Sequence, residues 1–333
     1  MQFPRLILPD EFFSQLDSAP DITTYVHQRI TVALQRSRIP WQVPVSHDPN
    51  CGLPTNVRTG GRYRGVNTLL LCDTYETKGY RSKWWGTYED WAAAGATVKG
   101  GQEPTVIVRY CGGDQVESDL AFNAVQVQGA DSLLAILTEL KTIVPNDEAD
   151  FGLMGRLIEH HSPDIRFDVG DDRFGPEWNG YITPEPFHDY PNHKSGDYIL
   201  MQSEGHFMSR ADHFSVMLHE LMHWAEVRTG WMHCMPLREL VAEMGMHVLG
   251  LELGVPHCFD EYNHRKWLKE WNLIFPQDHR LFFWITAQMD RVCDYLLGPI
   301  LHRKHSDYHD QYRIIPEVNH ITGPEFMDFR PKW

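Results

Sequence analysis

The chain of 333 residues has no apolar run approaching the roughly eighteen residues of a membrane-spanning helix, which excludes such a span. Its opening, MQFPRLILPDEFF, has neither a basic leader nor a long apolar core, so no secretory signal is expected. Cysteine is scarce: Cys51, Cys72, Cys111, Cys234, Cys258 and Cys293 form no CxxC pair. That argues against a zinc ribbon and for reduced thiols in a cytoplasmic protein. Repeats and low-complexity runs are lacking. Positive charge is in deficit, with 30 Lys and Arg against 45 Asp and Glu and a net charge of −15, which argues against a simple nucleic-acid binder. Apolar material is ample: 42% of residues are hydrophobic, with 11 Trp and 16 Phe, so wholesale disorder is excluded. The length suits two domains or one large one. Charge divides unevenly between the halves. Residues 1–130 carry 12 basic and 13 acidic residues, the remainder 18 and 32, while 36–83 hold eight basic and three acidic. A basic island in a neutral half, joined to an acidic half, suits two different tasks.

His219-Glu220-Leu221-Met222-His223 is an HExxH string. Residues four apart share a helix face, so both imidazoles can reach one ion, and Glu220 projects beside them. Zinc held by three protein ligands lowers the pKa of its water to roughly 7, and Glu220 is the expected proton acceptor. The bare string also arises by chance, with two core histidines bonded to backbone as the bland alternative. Its setting favours a helix: Phe214, Met217, Leu218, Leu221 and Trp224 form an apolar arc, Ser209 and Asp212 offer N-terminal caps, and Gly230 suits the end.

A third ligand is expected from the next helix, 236–253, with Pro236 in its first turn and Gly254 just beyond. This helix is apolar nearly all round, so Glu239 and Glu243 would be costly there unless paired or metal-bound. The expectation is that Glu239 ligates the metal and Glu243 holds a ligand histidine from behind. The reverse assignment, or an ordinary ion pair of Glu239 with Arg238 or Arg265, stays open.

Elsewhere the pattern predicts a helix over 22–38 and a loop over 39–67. It predicts a strand or helix start at 68–72 and a helix over 85–94. Strands are expected at 96–98 and 105–110, joined by the Lys99-Gly100-Gly101 turn, and another at 122–127, followed by a helix over 131–144. A strand at 198–201 leads into the HExxH helix, and helices near 262–273 and 279–297 follow. His302, His305 and His309 read as part of a solvated tail. The boundary falls near 145–150, giving domains 1–147 and 148–333. In the first, Arg58, Arg62, Tyr63, Arg64, Asn67, Lys83, Trp84, Trp85 and Lys99 interleave cations with aromatics. Such a mixture suits single strands, on which bases stack while cations follow phosphates. On composition alone, structural roles for these residues are the alternative.

An ordered set of short motifs goes further: Ile39-Pro40-Trp41, Pro54-Thr55-Asn56, Thr59-Gly60, Tyr63-Arg64-Gly65-Val66-Asn67, Trp84, Gly95 to Gly100, and Phe122-Asn123 with Gln126. This succession resembles the N-terminal single-stranded-DNA-binding domain of ArdC-type antirestriction proteins, also seen in plasmid primases. In that family a zincin-like metallopeptidase domain follows. Its pattern is similar to Tyr190–Met201, His219–His223 and Glu239 to Gly245 here. One departure is His213-Phe214, where the family often has two tyrosines.

The expected fold class is therefore α+β: a mixed α/β DNA-binding domain, then a mostly helical gluzincin-like metallopeptidase domain with a small sheet. The resemblance implies a factor of mobile genetic elements that protects entering DNA, with Zn2+ as cofactor and single-stranded DNA and a protein substrate, possibly DNA-bound, as partners. Two rivals remain: a DNA–protein crosslink protease, which would complete its site with a third His, and a DNA-binding protein whose zinc is structural.

Overall fold

The computed structural model describes residues 20–36, 38–42, 48, 50–110, 116–135, 152–169, 179–182, 196–231, 233–255 and 261–301. In chain order the first half runs α1 (Pro20–Gln35), β1 (Thr55–Asn56), α2 (Val66–Lys78), β2 (Trp84–Thr87), α3 (Tyr88–Ala93), β3 (Thr97–Val98), β4 (Thr105–Tyr110), β5 (Val116–Asn123) and β6 (Val127–Gln128). The second half runs α4 (Gly152–His161), β7 (Ile165–Phe167), β8 (Gly180–Ile182), β9 (Tyr198–Met201), α5 (Arg210–Arg228), α6 (Met235–Leu253), α7 (Glu261–Ile274) and α8 (Leu281–Leu301). The mixed helix-and-sheet class expected from the pattern is the class observed. The boundary region 145–150, most of the predicted helix 131–144, Cys111, Cys258 and the His302–His309 cluster lie outside the described residues. Among the described residues no helix is long and apolar enough to cross a membrane.

Contacts divide the chain into two compact units. The first comprises the described parts of Met1–Val144 together with Asp260–Asp290, the second those of Pro145–Phe259 with Arg291–Arg303. The expected division places residues 148–333 in the second domain. Residues of α7 and its sequel instead pack in the first unit: His27 Nε2 lies 2.7 Å from the Phe275 carbonyl, and Trp41 and Trp271 meet edge to face at 6.4 Å.

The first unit is built on a four-stranded sheet ordered β1-β2-β5-β4, with β1 parallel to β2 and the other pairs antiparallel. β2 is interior and all four of its residues are buried, so its sequence, Trp-Trp-Gly-Thr, shows no alternation. That is why 85–87, expected as the start of a helix over 85–94, lies in a strand; Thr87 then caps α3 by accepting from the Asp90 amide. Gly86 is needed there, because a Cβ would sit 3.0 Å from both Asp90 Cβ and Val57 Cγ1. The 96–98 and 105–110 segments do not pair with each other: β3 pairs with β6, and β4 with β5. Residues 68–72 belong to α2, fully buried at Leu69, Leu70, Leu71 and Cys72.

The second unit holds a three-stranded sheet, β7-β9-β8, with β9 central, parallel to β7 and antiparallel to β8. β9 is buried from Ile199 to Met201 and leads into α5. α5 begins at Ser209, whose side chain accepts from the Asp212 amide, and ends before Gly230, which adopts φ +71°. α6 starts with Pro236 in its first turn and stops at Gly254 in the left-handed region. Nearly the whole of α6 is buried, as its apolar circumference requires.

Candidate metal centre and nucleic-acid surface

α5 and α6 bring three donor groups to one point. His219 Nε2 and His223 Nε2 are 3.2 Å apart. Glu239 Oε2 lies 3.5 Å from His219 Nε2, and Glu239 Oε1 lies 3.7 Å from His223 Nε2. Among the described residues this is the group of side chains with the spacing of a metal site. Four ligands at about 2.1 Å in a tetrahedron stand roughly 3.4 Å from one another, close to the spacings among these three side chains. Side-chain exposure is 12% for His219, 7% for His223 and 12% for Glu239. The donor set of two imidazoles and a carboxylate suits a borderline divalent ion such as zinc.

The electrostatics agree with that spacing. Burial works against a charged His219, but the hydrogen bond and charge of Glu239, with Glu220 and Glu243 adding, outweigh it and hold its pKa at about 9. Burial likewise opposes a charged Glu239, yet the hydrogen bond from His219 and the charges of His223, His219 and Arg238 hold its carboxyl at about 2.

Glu220 is buried on α5 immediately after His219. Glu243 is buried one turn after Glu239 and close enough for its charge to act on His219. A carboxylate missed by sequence reasoning is Glu226. It is fully buried, 3.2 Å from His223 Nδ1 and 2.8 Å from Arg238 Nε. The signal was available: three residues after His223 is one turn along the same face. His213, at the departure from the family pattern, is buried among the rings of Phe167, Phe207 and Phe214, with centroids 5.1–5.9 Å away.

The expected nucleic-acid residues fare differently. Arg62, Tyr63, Arg64, Asn67, Lys83 and Trp84 are all buried, and the reading of them as a stacking surface is corrected. Asp290 explains the arginines: its carboxylate lies 3.0 Å from Arg62 Nη2 and 3.6 Å from Arg64 Nε, and accepts from the Gly65 amide at 2.7 Å. Asn67 acts as a surrogate strand partner, donating to the Val108 carbonyl and accepting from the Val108 amide, both at 2.7 Å, along the β4 edge of the sheet. Lys83 lies against the buried Trp84 ring, 5.4 Å from its centroid. Trp85 is buried too. Arg58, with 62% of its side chain exposed, and Lys99 stay at the surface. Arg58 sits in a turn held by Asn56, whose Oδ1 accepts from the Arg58 and Thr59 amides, and it reaches Asp90 on α3 at 3.8 Å. The first residue of α3, Tyr88, is exposed.

Residues 20–132 match the family model for the N-terminal domain of anti-restriction factor ArdC, and residues 190–288 that for a zincin-like metallopeptidase. The chain is thus similar to an ArdC N-terminal domain in its first part and to a zincin-like metallopeptidase in its second. Its fold is shared with the antirestriction ArdC protein from plasmid R388. The Mn(II)-bound form of that protein superposes with a TM-score of 0.63 at 22% identity, covering 85% of this chain and 99% of the other. The metal-free form gives 0.60 at 21%. The Escherichia coli DNA primase TraC is 25% identical over 313 residues, 82% of this chain, and the chain spans 27% of its length. The Sinorhizobium fredii protein y4eC is 22% identical over 319 residues, 84% of this chain and 94% of the relative.

Proposed function

We propose that this ArdC-type chain is an antirestriction factor that binds single-stranded DNA through its first unit and hydrolyses peptide bonds at a metal site in its second. The convergence of His219, His223 and Glu239 at 3.2–3.7 Å, with Glu220 adjoining, carries the reading. Zn2+ is the ion proposed; bound there, it would supply Lewis acidity for attack on an amide carbonyl. The two imidazoles present neutral lone pairs and Glu239 one negative charge, so the site keeps a net positive charge when loaded. Among the described residues three donors converge, which favours an open coordination position over a purely structural site. The carboxylate on α6 fits a gluzincin-like centre better than the three-histidine centre of a crosslink protease. Glu220 takes the proton of the attacking water and returns it to the departing amine. DNA contact is proposed for Arg58 and Lys99, with exposed Tyr88 as a stacking ring. DNA would then bring the peptidase site to a DNA-bound protein target.

Glu220→Ala is the test of the chemistry. It should abolish cleavage while leaving metal content and single-stranded-DNA binding intact. Undiminished proteolysis by this variant contradicts the role given to Glu220.

A further inference from the structure

Glu226 sits behind His223, on the side away from the candidate metal point. One oxygen, Oε2, meets both His223 Nδ1, at 3.2 Å, and Arg238 Nε, at 2.8 Å. A carboxylate can only accept from these two groups, so the imidazole proton belongs on Nδ1. The lone pair of His223 is then on Nε2, the atom that faces His219 Nε2 and Glu239. We propose that Glu226, itself aimed by Arg238, is a positioning residue that sets the tautomer and ring orientation in which His223 takes up the metal. The proposal rests on the metal reading above and goes beyond it, because it gives Glu226 and Arg238 a role in metal affinity.

Three observations support positioning over simple bracing. Glu226 is fully buried, a place where a carboxylate without partners is costly. Its partner Arg238 is the residue immediately before Glu239 on α6, so one ion pair joins the element bearing two donors to the element bearing the third. And the oxygen contacted by the guanidinium is the same oxygen that meets the imidazole, so the cation fixes the acceptor's direction as well as its charge. Outer carboxylates of this kind typically change metal affinity 10–100-fold when removed.

The test uses zinc alone as the probe, with the affinity of the full chain read by competition with a chromophoric chelator. Glu226→Gln should weaken zinc binding by about 10–100-fold and Arg238→Met by a smaller factor. In zinc-loaded wild type, proton NMR should show a slowly exchanging His223 Nδ1–H that moves upfield in Glu226→Gln, whose neutral amide oxygen is the weaker acceptor. A mere brace would lower the melting temperature of the metal-free protein and leave both readouts of the folded protein unchanged. Zinc affinity within about twofold of wild type in Glu226→Gln, with the Nδ1–H signal unshifted, overturns the proposal. Should that variant not fold, Arg238→Met decides: unchanged affinity there overturns it equally. His223→Ala separates the two levels of the argument. If it binds zinc as tightly as wild type, the metal reading itself has failed; if it loses zinc while Glu226→Gln does not, only the positioning role has.

Discussion

Met222 and Gly245 interlock: a Cβ on residue 245 would overlap Met222 Cε and lie 2.6 Å from its Sδ. Met222 precedes ligand candidate His223 on α5, and Gly245 follows Glu239 on α6 by less than two turns. The missing side chain lets the two helices approach until a glutamate on one reaches the histidines of the other.

Gly245→Ala is therefore expected to destabilise, although a helix-interior Gly→Ala change ordinarily gains up to about 1 kcal/mol. Overpacking costs about 1–3 kcal/mol, and the fully buried Met222 has no solvent to swing into. Urea unfolding of the metal-free chain should show a net loss of up to about 2 kcal/mol. The loss should shrink in a Met222→Ala background, the sign of direct coupling. A stabilised Gly245→Ala protein contradicts the interlock.

The pH dependence of the metal-free protein has a defined sign. The pKa of His219 is raised from 6.5 to about 9, so its contribution is complete below 6.5 and disappears as pH rises through 9. That of Glu239 is lowered from 4.5 to about 2, so its contribution is complete above 4.5 and disappears as pH falls through 2. Stability curves of wild type and Glu239→Gln, measured in chelator, should differ most between pH 4.5 and 6.5 and converge towards pH 9. The same proton competes with metal, so zinc affinity should climb with pH up to about 9. A flat difference between the two proteins contradicts the pairing.

Arg62 and Arg58 should behave oppositely. Arg62→Ala removes a buried partner of Asp290 and should cost roughly 3 kcal/mol or more of stability. Arg58→Ala and Lys99→Ala should leave the melting temperature nearly unchanged and weaken single-stranded-DNA binding. Each lost phosphate contact should reduce the slope of log affinity against log salt by about 0.7. The contrast fails if Arg62→Ala is fully stable, or if neither surface variant alters the salt slope.

Sequence reasoning reached the features that are local or that break a local rule. The two histidines are four apart on one helix, and a carboxylate in an otherwise apolar helix asks for a partner; both are written within a few residues of chain. Capping by Ser209 and the stop at Gly254 are equally local. Asp290 lies more than 220 residues from Arg62 and Arg64, so a buried ion-pair cluster read as a cationic surface. β2 misled because an interior strand buries both faces and loses its alternation. Glu226 lies one turn past His223 on α5, whereas the apolar pattern that singles out Glu239 and Glu243 belongs to α6.

The most direct test of the metal centre is anomalous diffraction at the zinc edge from crystals of the zinc-loaded chain. A single peak about 2.0–2.2 Å from His219 Nε2, His223 Nε2 and a Glu239 carboxylate oxygen is the expected result. A zinc-loaded crystal with no peak between these three residues, or with its zinc held elsewhere, contradicts it.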